Sequence, residues 1–311
     1  MPDAALARSY VYCRRITRAA ARNFYFAIFL LPRPKRDALC ALYAFMRHAD
    51  DISDTPGDAS AKLARMAAWR ATLDRALAGD YSGNPVLPAF HDAVRRYSIP
   101  PRYLHDLISG TEMDLSIASY ATFELLRKYC YRVAGTVGLC CTHVFGFSDP
   151  RALEVAEKLG IAFQLTNILR DVRADYEMGR VYLPEEDLRQ FGCRAADLAG
   201  PVTPAMRELL AFEAARAWQL FDEGGELLRL IDEDSRPALW ALARIYSGIL
   251  EEIGARGYDV FAAEKVRLST AYKVWVMLRA RLGWWNSEHG FQERDHHRRG
   301  SRGTLLGGRA G

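Results

Sequence analysis

The stretch Ile161-Ala-Phe-Gln-Leu-Thr-Asn-Ile-Leu-Arg-Asp-Val-Arg-Ala-Asp175 decides the fold class. Its apolar residues recur at spacings of three and four positions, which places them on one face of an α-helix. A second stripe of the same kind runs from Leu39 to Met46. Strand-like alternation of polar and apolar residues is scarce elsewhere in the chain. We therefore predict an all-α fold.

Long segments without proline extend this pattern over most of the sequence. They are rich in Ala, Leu, Arg and Glu, which favour helices. They cover residues 35–55, 57–84, 102–149, 151–183 and 205–236. No internal repeat and no Ser/Gly-rich linker divides the chain before residue 286. The sequence thus predicts one helical-bundle domain over residues 1–285.

Residues 286–311 differ in composition from the rest of the chain. They hold five arginines, three histidines, six glycines and few apolar residues. We predict a disordered basic tail. A plain solvated terminus is favoured over the alternative, in which the tail contacts anionic lipid or another acidic surface.

Overall composition and charge exclude several classes of protein. The 311 residues include 42 Lys and Arg against 38 Asp and Glu, a net charge of +4, and half are hydrophobic. This composition excludes a disordered or collagen-like chain, and the charge excess is too small to indicate nucleic acid as a partner. The apolar stretch Phe24 to Leu31 has eight residues, whereas a membrane span needs about 20. Peripheral contact is therefore the only membrane association that we expect.

The cysteines indicate a reducing compartment. They form no C-x-x-C pair and have no histidine at zinc-finger spacing, which predicts reduced thiols in a cytoplasmic protein. They are Cys13, Cys40, Cys130, Cys140, Cys141 and Cys193.

One acidic group lies at the predicted end of a helix, in Arg47-His-Ala-Asp-Asp-Ile-Ser-Asp54. Asp50 and Asp54 are four residues apart, hence on one face and about 6 Å apart along the axis. Like charges at this spacing repel, and the carboxyl end of a helix dipole disfavours carboxylates. A cation between them would reverse both penalties. Ligands that offer only oxygen point to Mg²⁺, which commonly bridges to substrate phosphate.

A second acidic group lies in the stretch quoted at the outset. Asn167, Asp171 and Asp175 fall at i, i+4 and i+8, so their oxygens form a ladder along one stripe of a helix. Arg170, Arg173 and, beyond the helix, Arg180 supply guanidinium groups that bind phosphate oxygens in pairs. Carboxylates and arginines together suit a Mg²⁺-diphosphate.

A single D-x-x-x-D pattern is more often a solvated helix face than a metal site. Two such groups, each beside an arginine and on the edge of an apolar helix, favour one shared site. A calcium-binding EF-hand is excluded because Asp51 follows Asp50 directly and no Glu stands at the twelfth position.

At this level of detail the sequence resembles the squalene and phytoene synthase family over roughly residues 8–285. The motifs appear in the family's order. They are Asn23-Phe24, Leu30-Leu31-Pro32, Tyr43 with Arg47 leading into Asp50-Asp51-x-x-Asp54, Tyr129-Cys-Tyr-Arg-Val-Ala-Gly-Thr-Val-Gly138, Gln164-x-x-Asn167-x-x-Arg170-Asp171-x-x-x-Asp175, Gly179-Arg-Val-Tyr-Leu-Pro184 and Tyr258.

The resemblance implies a class I isoprenoid synthase bundle with a central apolar cavity, and a role for each matched residue. Mg²⁺ would be bound by Asp50, Asp54, Asn167, Asp171 and Asp175, with Asp51 adjacent. Diphosphate would be held by Arg47, Arg170 and Arg180, with Gln164 lining the site. Tyr43, Tyr129 and Tyr258 would stand near the reacting centre. The chain has Ala21-Arg-Asn-Phe24 where many members have Ser-x-Ser-Phe, so Asn23 would replace a serine as hydrogen-bond donor.

Small residues between Val133 and Gly138 are predicted to open room for isoprenoid tails beside Phe24. Phe26, Phe29, Leu139, Phe163 and Leu165 are further candidates for the lining, with core packing as the alternative for each. Glycine inside a helix costs about 1 kcal/mol relative to alanine, so Gly135 and Gly138 indicate close approach by a ligand or by another helix.

The function implied by the resemblance is head-to-head condensation of two prenyl diphosphates. We favour two farnesyl diphosphates giving presqualene diphosphate or squalene, and keep phytoene synthesis from two geranylgeranyl diphosphates as the alternative. NADPH is expected only if squalene is the product, and the sequence has no glycine-rich dinucleotide motif.

A non-catalytic relative is disfavoured because every implied metal ligand is present. A terpene cyclase or head-to-tail prenyltransferase fits Arg170-Asp171 and the Tyr129–Gly138 block poorly. His48 and His143 are read as structural.

Overall fold

The computed structural model describes residues 4–55, 57–261 and 265–283, without the side chains of Arg22, Asn23 and Asp54. The predictions for the tail and for the Asn23 and Asp54 side chains lie outside this description. The described residues form the helices α1 Ala4–Ala20, α2 Arg22–Ile28, α3 Arg33–Asp54, α4 Ala59–Leu77, α5 Leu87–Arg96, α6 Pro101–Ser116, α7 Phe123–Cys130, α8 Thr136–Phe145, α9 Arg151–Glu177, α10 Glu185–Gln190, α11 Pro204–Gly224, α12 Leu227–Leu230, α13 Arg236–Ala255 and α14 Thr270–Arg281.

The all-α prediction is confirmed. Extended pairing within the described ranges is limited to two isolated bridges, Ser119 with Val181 and Phe147 with Ile231. The proline-free window 102–149 is divided into α6, α7 and α8, because the chain turns extended around Ser119 after α6. A π-helical turn, Tyr131–Gly135, joins α7 to α8, and π turns of this kind are frequent at functional sites.

The ends of α3 and α9 fix the positions of the two acidic groups. Pro34 stands in the first turn of α3, where a missing N–H costs nothing. The helix ends at Asp54, and the Thr55 N–H donates to the carbonyl of Asp51. At the end of α9, Gly179 adopts a left-handed φ of 79°, which glycine takes without strain. This turn lets the Arg180 N–H donate to the carbonyl of Asp175 at 2.8 Å, so Arg180 is folded back beside the second acidic group.

The central element of the bundle is α9. It packs most extensively on α11 and also contacts the π turn, α8 and α13. Glycine permits the closest of these contacts: a methyl group on Gly138 would lie 2.8 Å from the carbonyl oxygen of Ala156, and one on Gly160 would lie 2.5 Å from that of Ala134. The close approach predicted for Gly138 is therefore made by another helix.

All six cysteines are buried and free, and within the ranges described above, no helix combines the length and the apolar character needed to cross a membrane.

Candidate active site

An elongated cavity of about 310 Å³ runs along α9 between the π turn and α8 on one side and α13 on the other. Its wall is apolar over most of its length. Seven lining residues come from one stripe of the π turn and α8: Val133, Ala134, Val137, Gly138, Cys141, Thr142 and Phe145. Further apolar lining comes from Phe24, Ala156, Leu159, Gly160, Phe163, Leu227, Leu239 and Leu242.

Three amide or carboxylate side chains belong to this lining. Asp50 from α3 and Gln164 and Asn167 from α9 are the amide and carboxylate groups that face the cavity. The Asn167 amide donates to the Gln164 Oε1 at 3.4 Å. Asp50 of the first acidic group and Asn167 of the second, more than a hundred positions apart in sequence, thus line one cavity, whereas Asp171 and Asp175 are not among its lining residues.

The aspartates that end α3 point in different directions. Asp50 lines the cavity, whereas Asp51 lines a separate open groove with His48 and Trp69. The Asp51 carboxylate is also paired with the Arg47 guanidinium at 2.7 Å. Asp51 therefore holds Arg47, which also hydrogen-bonds Tyr43 of the cavity lining, and Asp51 itself is not part of that lining.

Two cations already occupy the Asp171 carboxylate. The Arg170 guanidinium approaches its oxygens at 3.0 and 2.5 Å, and the Lys265 ammonium lies 2.7 Å from Oδ1. Burial alone would raise the pKa of Asp171, but these two partners hold it below its ordinary value. In the metal-free protein, protein cations neutralise this carboxylate.

The charge of Asp175, one turn further along α9, is less fully neutralised by nearby cations than that of Asp171. Burial, followed by repulsion from Asp171, raises its pKa to about 7, although Arg180 and Lys265 act in the opposite direction. A buried carboxylate with a raised pKa is a mark of functional sites, because a bound cation would remove the cost of ionising it.

The donor chemistry fits Mg²⁺. Every side chain at issue offers oxygen, the donor that magnesium prefers. Among the residues that the structure describes, no group of three or more His, Cys, Asp or Glu side chains is arranged to hold a metal ion by itself. Magnesium is commonly bound by one or two carboxylates together with waters and substrate phosphates.

Two tyrosines also belong to the cavity wall. Tyr43 lines the cavity and stacks on Phe24 at 5.8 Å between ring centroids. Tyr246 of α13 also lines it, stacks on Phe163 at 4.4 Å and hydrogen-bonds Asn167. Burial raises the pKa of both phenols, so both are neutral at the cavity wall.

A separate tyrosine cluster is organised by Asp114 at the end of α6. Its Oδ2 accepts a hydrogen bond from the Tyr129 hydroxyl at 3.1 Å, and its Oδ1 accepts one from the Tyr182 hydroxyl at 2.8 Å. The Tyr120 ring packs on both phenols. Burial, together with the Asp114 charge, raises the pKa of Tyr129 well above its ordinary value. Because Asp114 also acts electrostatically on Asp175, this cluster lies beside the second acidic group.

The remaining predicted residues divide between lining and packing. Phe24, Val133, Gly138, Phe163 and Gln164 line the cavity. Tyr258 is half-buried beyond the end of α13, with a left-handed φ of 61°, and is not part of the lining.

Four of the predicted lining residues are not part of the cavity lining. Phe29 is exposed on the surface, whereas Leu139 and Leu165 are buried in the hydrophobic core. Phe26 is half-buried and also absent from the lining.

Four residues that the geometry places at the site were assigned no role in the sequence analysis: Asp114, Tyr182, Tyr246 and Lys265. Tyr182 lies within a motif of the resemblance, and its position there was the only available signal. The other three reach the site from α6, α13 and the segment before α14, and no local spacing links them to the acidic groups.

Comparison with known proteins identifies the family. The family model for squalene/phytoene synthase matches residues 17–272. The chain belongs to the squalene/phytoene synthase family. This confirms the resemblance drawn from the motifs and places the chain among prenyltransferases that join substrates head to head.

Relatives and solved structures within this family cover most of the chain. The 15-cis-phytoene synthase of Synechococcus elongatus is 38% identical over 271 residues, which are 83% of this chain and 88% of the relative. The phytoene synthase of Mycobacterium tuberculosis is 40% identical over 243 residues, 77% of this chain and 80% of the relative. A dehydrosqualene synthase crystal structure matches with a TM-score of 0.83 at 31% identity and covers 90% of this chain and 97% of its own. The squalene synthase HpnC from Alicyclobacillus acidocaldarius matches with a TM-score of 0.76, also at 31% identity, over 82% of this chain and 96% of its own.

Proposed function

We propose that this protein is a Mg²⁺-dependent phytoene synthase, which joins two molecules of geranylgeranyl diphosphate head to head. The observation that carries the proposal is the cavity itself, which is apolar along most of its length and carries Asp50, Gln164 and Asn167 in its wall. Such a site suits a long hydrocarbon with a charged head group.

Relatives support the C20 substrate over the C15 substrate favoured in the sequence analysis. The curated relatives described above are phytoene synthases, whereas the structural neighbours are a dehydrosqualene and a squalene synthase. The sequence identities to the phytoene synthases are the higher ones. Formation of phytoene from two C20 units needs no reductant, so NADPH has no place in this proposal.

Asp50, Asp54, Asn167, Asp171 and Asp175 are the residues that would hold Mg²⁺, which supplies electrostatic stabilisation to the departing diphosphate. Arg47, Arg170 and Arg180 would bind diphosphate oxygens directly. Lys265 is the fourth cation near the acidic residues. When substrate binds, its ammonium group would exchange the contact with Asp171 for one with the diphosphate. No nucleophilic side chain is needed, because diphosphate is a good leaving group once its charge is balanced.

The apolar wall of the cavity would protect the carbocation that forms when the substrate loses its diphosphate. When the C1–O bond of the first substrate breaks, its allylic cation lies in a cavity lined by Phe24, Tyr43, Phe163 and Tyr246, whose ring faces stabilise positive charge. The C2=C3 double bond of the second substrate attacks this cation, and loss of a proton closes a cyclopropane ring. A second ionisation then releases the remaining diphosphate, and the resulting cation rearranges and loses a second proton to give the linear C40 hydrocarbon. Exclusion of water by the wall prevents hydrolysis to the alcohol.

Product analysis tests the proposal. Purified protein is incubated with Mg²⁺ and labelled geranylgeranyl or farnesyl diphosphate, with and without NADPH, and the extracted lipids are identified by mass spectrometry. We expect a C40 hydrocarbon from the C20 substrate, formed equally with and without NADPH. A C30 product from farnesyl diphosphate alone would establish the squalene alternative, and an absence of any hydrocarbon would favour a non-catalytic relative.

A further inference from the structure

The last described helix, α14, is apolar on the side that faces away from the protein. Only Val276 and Ala280 are buried against the bundle. On the opposite side, Val274 is 44% exposed, Trp275 37% and Leu278 58%, and Leu282 immediately after the helix is 77% exposed. A surface helix normally carries polar residues on this side.

The exposed apolar residues of α14 form one patch. Their spacings of three and four positions place them on adjacent turns of a single face. Scattered apolar side chains are normal on a protein surface, but a contiguous group marks a surface that binds another apolar partner. We name the residues Val274, Trp275, Leu278 and Leu282 the α14 patch.

Positive charge is concentrated around this patch. Residues 265–283 contain Lys265, Arg267, Lys273, Arg279 and Arg281 and no acidic residue. From residue 265 to the end, ten Lys and Arg stand against three Asp and Glu, whereas residues 1–264 hold 32 against 35. The charge that attracts an anionic surface therefore lies on the same part of the chain as the exposed apolar side chains.

This region is connected directly to the second acidic group on α9. Lys265 contacts Asp171 at 2.7 Å, and the Arg173 guanidinium donates to the carbonyl of Phe261 at 3.0 Å. From Lys265 the chain enters α14 within five residues. The α14 patch is thus joined by a short segment to the lysine that contacts the second acidic group.

We propose that the α14 patch docks the protein on a membrane that contains anionic lipid. An apolar face flanked by arginines is the arrangement by which amphipathic helices bind the lipid interface, and basic residues near the surface add attraction to anionic head groups. The two residues that follow Gly283 are both tryptophan, a residue enriched at membrane interfaces. The substrate of the proposed function is itself a lipid, so docking would let it pass from bilayer to cavity; this step rests on the proposed function.

Charge also decides against two other occupants of the patch. A second copy of the chain would bring Arg279 and Arg281 of one molecule against those of the other. Residues 284–311 carry five arginines against three acidic residues, so they too share the sign of the patch. An anionic bilayer offers both apolar volume and opposite charge over the whole patch.

Vesicle binding by the full-length protein tests the proposal. Flotation is measured with vesicles of phosphatidylcholine alone and of phosphatidylcholine with 30% phosphatidylglycerol. We expect binding to the anionic vesicles to exceed binding to the neutral ones at least fivefold and to fall in 0.5 M NaCl. The double variant Leu278→Ser/Leu282→Ser should lose at least nine-tenths of the bound fraction. Leu125→Ser, which changes an exposed leucine on α7, is the matched control and should bind as the wild type does.

Several results would overturn the proposal. Equal binding by the double variant and the wild type would do so, as would equal binding to neutral and anionic vesicles. A concentration-dependent dimer that the double variant abolishes, with no vesicle binding, would assign the patch to a second copy. Thermal melting confirms that the double variant is folded. Because vesicle binding requires no turnover, a failure here is distinguishable from a failure of the proposed activity, which is assayed on detergent-dispersed substrate.

Discussion

Asp114 is the residue whose removal we expect to separate the tyrosine cluster from the rest of the site. The carboxylate accepts hydrogen bonds from Tyr129 and Tyr182, at 3.1 and 2.8 Å. Those phenols are only 3% and 7% exposed, so water cannot readily replace the lost partner. Hydrogen bonds to a charged group contribute about 1.5–3 kcal/mol each. Asp114→Ala should therefore lower the free energy of unfolding by about 3–5 kcal/mol.

Asp114→Asn provides the graded comparison. Its single carbonyl oxygen can accept from one phenol, while the amide that replaces the other oxygen is a donor. We expect a loss of about 1–3 kcal/mol, smaller than in the alanine variant. Urea unfolding followed by circular dichroism gives both values. Product formation should fall in both variants, because Tyr129 no longer has a fixed orientation beside Asp175.

The double variant Tyr129→Phe/Tyr182→Phe is the control for this prediction. If Asp114 acts through these hydroxyls, adding Asp114→Asn to that background should cost less than it does in the wild type, since the two sites are coupled. Stability of Asp114→Ala within about 0.5 kcal/mol of wild type would refute the reasoning, since it would show that the phenols do not depend on the carboxylate.

Further predictions concern pH, chain length and diphosphate affinity. The pKa of Asp175 is raised to about 7 from an ordinary 3.8, so the folded metal-free protein binds this proton more tightly than the unfolded chain and loses stability as pH rises from about 4 to 7. Asp175→Asn should flatten that dependence and stabilise the metal-free protein at pH 8 by about 2–4 kcal/mol in urea unfolding, while weakening Mg²⁺ binding; an unchanged pH dependence would contradict the assignment. Val137→Phe narrows the apolar part of the cavity and should reduce kcat/KM for the C20 substrate relative to the C15 substrate by about tenfold or more, since a single methylene in such a pocket is worth about 1–3 kcal/mol; an unchanged ratio would place the tails elsewhere. Lys265→Met should weaken binding of inorganic diphosphate about three- to tenfold in calorimetry, whereas Lys128→Met, an exposed lysine on α7, should have no effect.

The sequence predicted those parts of the molecule that depend on local spacing. The Asn167, Asp171 and Asp175 ladder follows from the helical period, and the end of α3 at Asp54 follows from Pro56 and Gly57. Both acidic groups could therefore be assigned to helices before their relative position was known. That Asp50 and Asn167 line one cavity is a tertiary fact, and it was expected only from the chemistry they share.

What the sequence could not predict depends on contacts between distant elements. Asp114 accepts a hydrogen bond from Tyr182, 68 positions away. Lys265, in the segment between α13 and α14, contacts Asp171. No local sequence pattern marks Asp114 or Lys265. Aromatic and aliphatic residues were equally ambiguous, because the same residue types fill core and cavity. Phe163 lines the cavity, whereas Leu165, two positions later on α9, faces the core.

The central claim is that both acidic groups act as one site on a single Mg²⁺-diphosphate. It is tested most directly by calorimetric binding of inorganic diphosphate in saturating Mg²⁺ to wild type, Asp50→Asn, Asp171→Asn and the double variant. The account predicts that each single change weakens diphosphate binding at least tenfold. The affinity of the double variant should be at most about threefold below that of the single variant that binds more weakly, because both changes disrupt the same complex. Losses that simply add, or a single variant that binds as the wild type does, would contradict it.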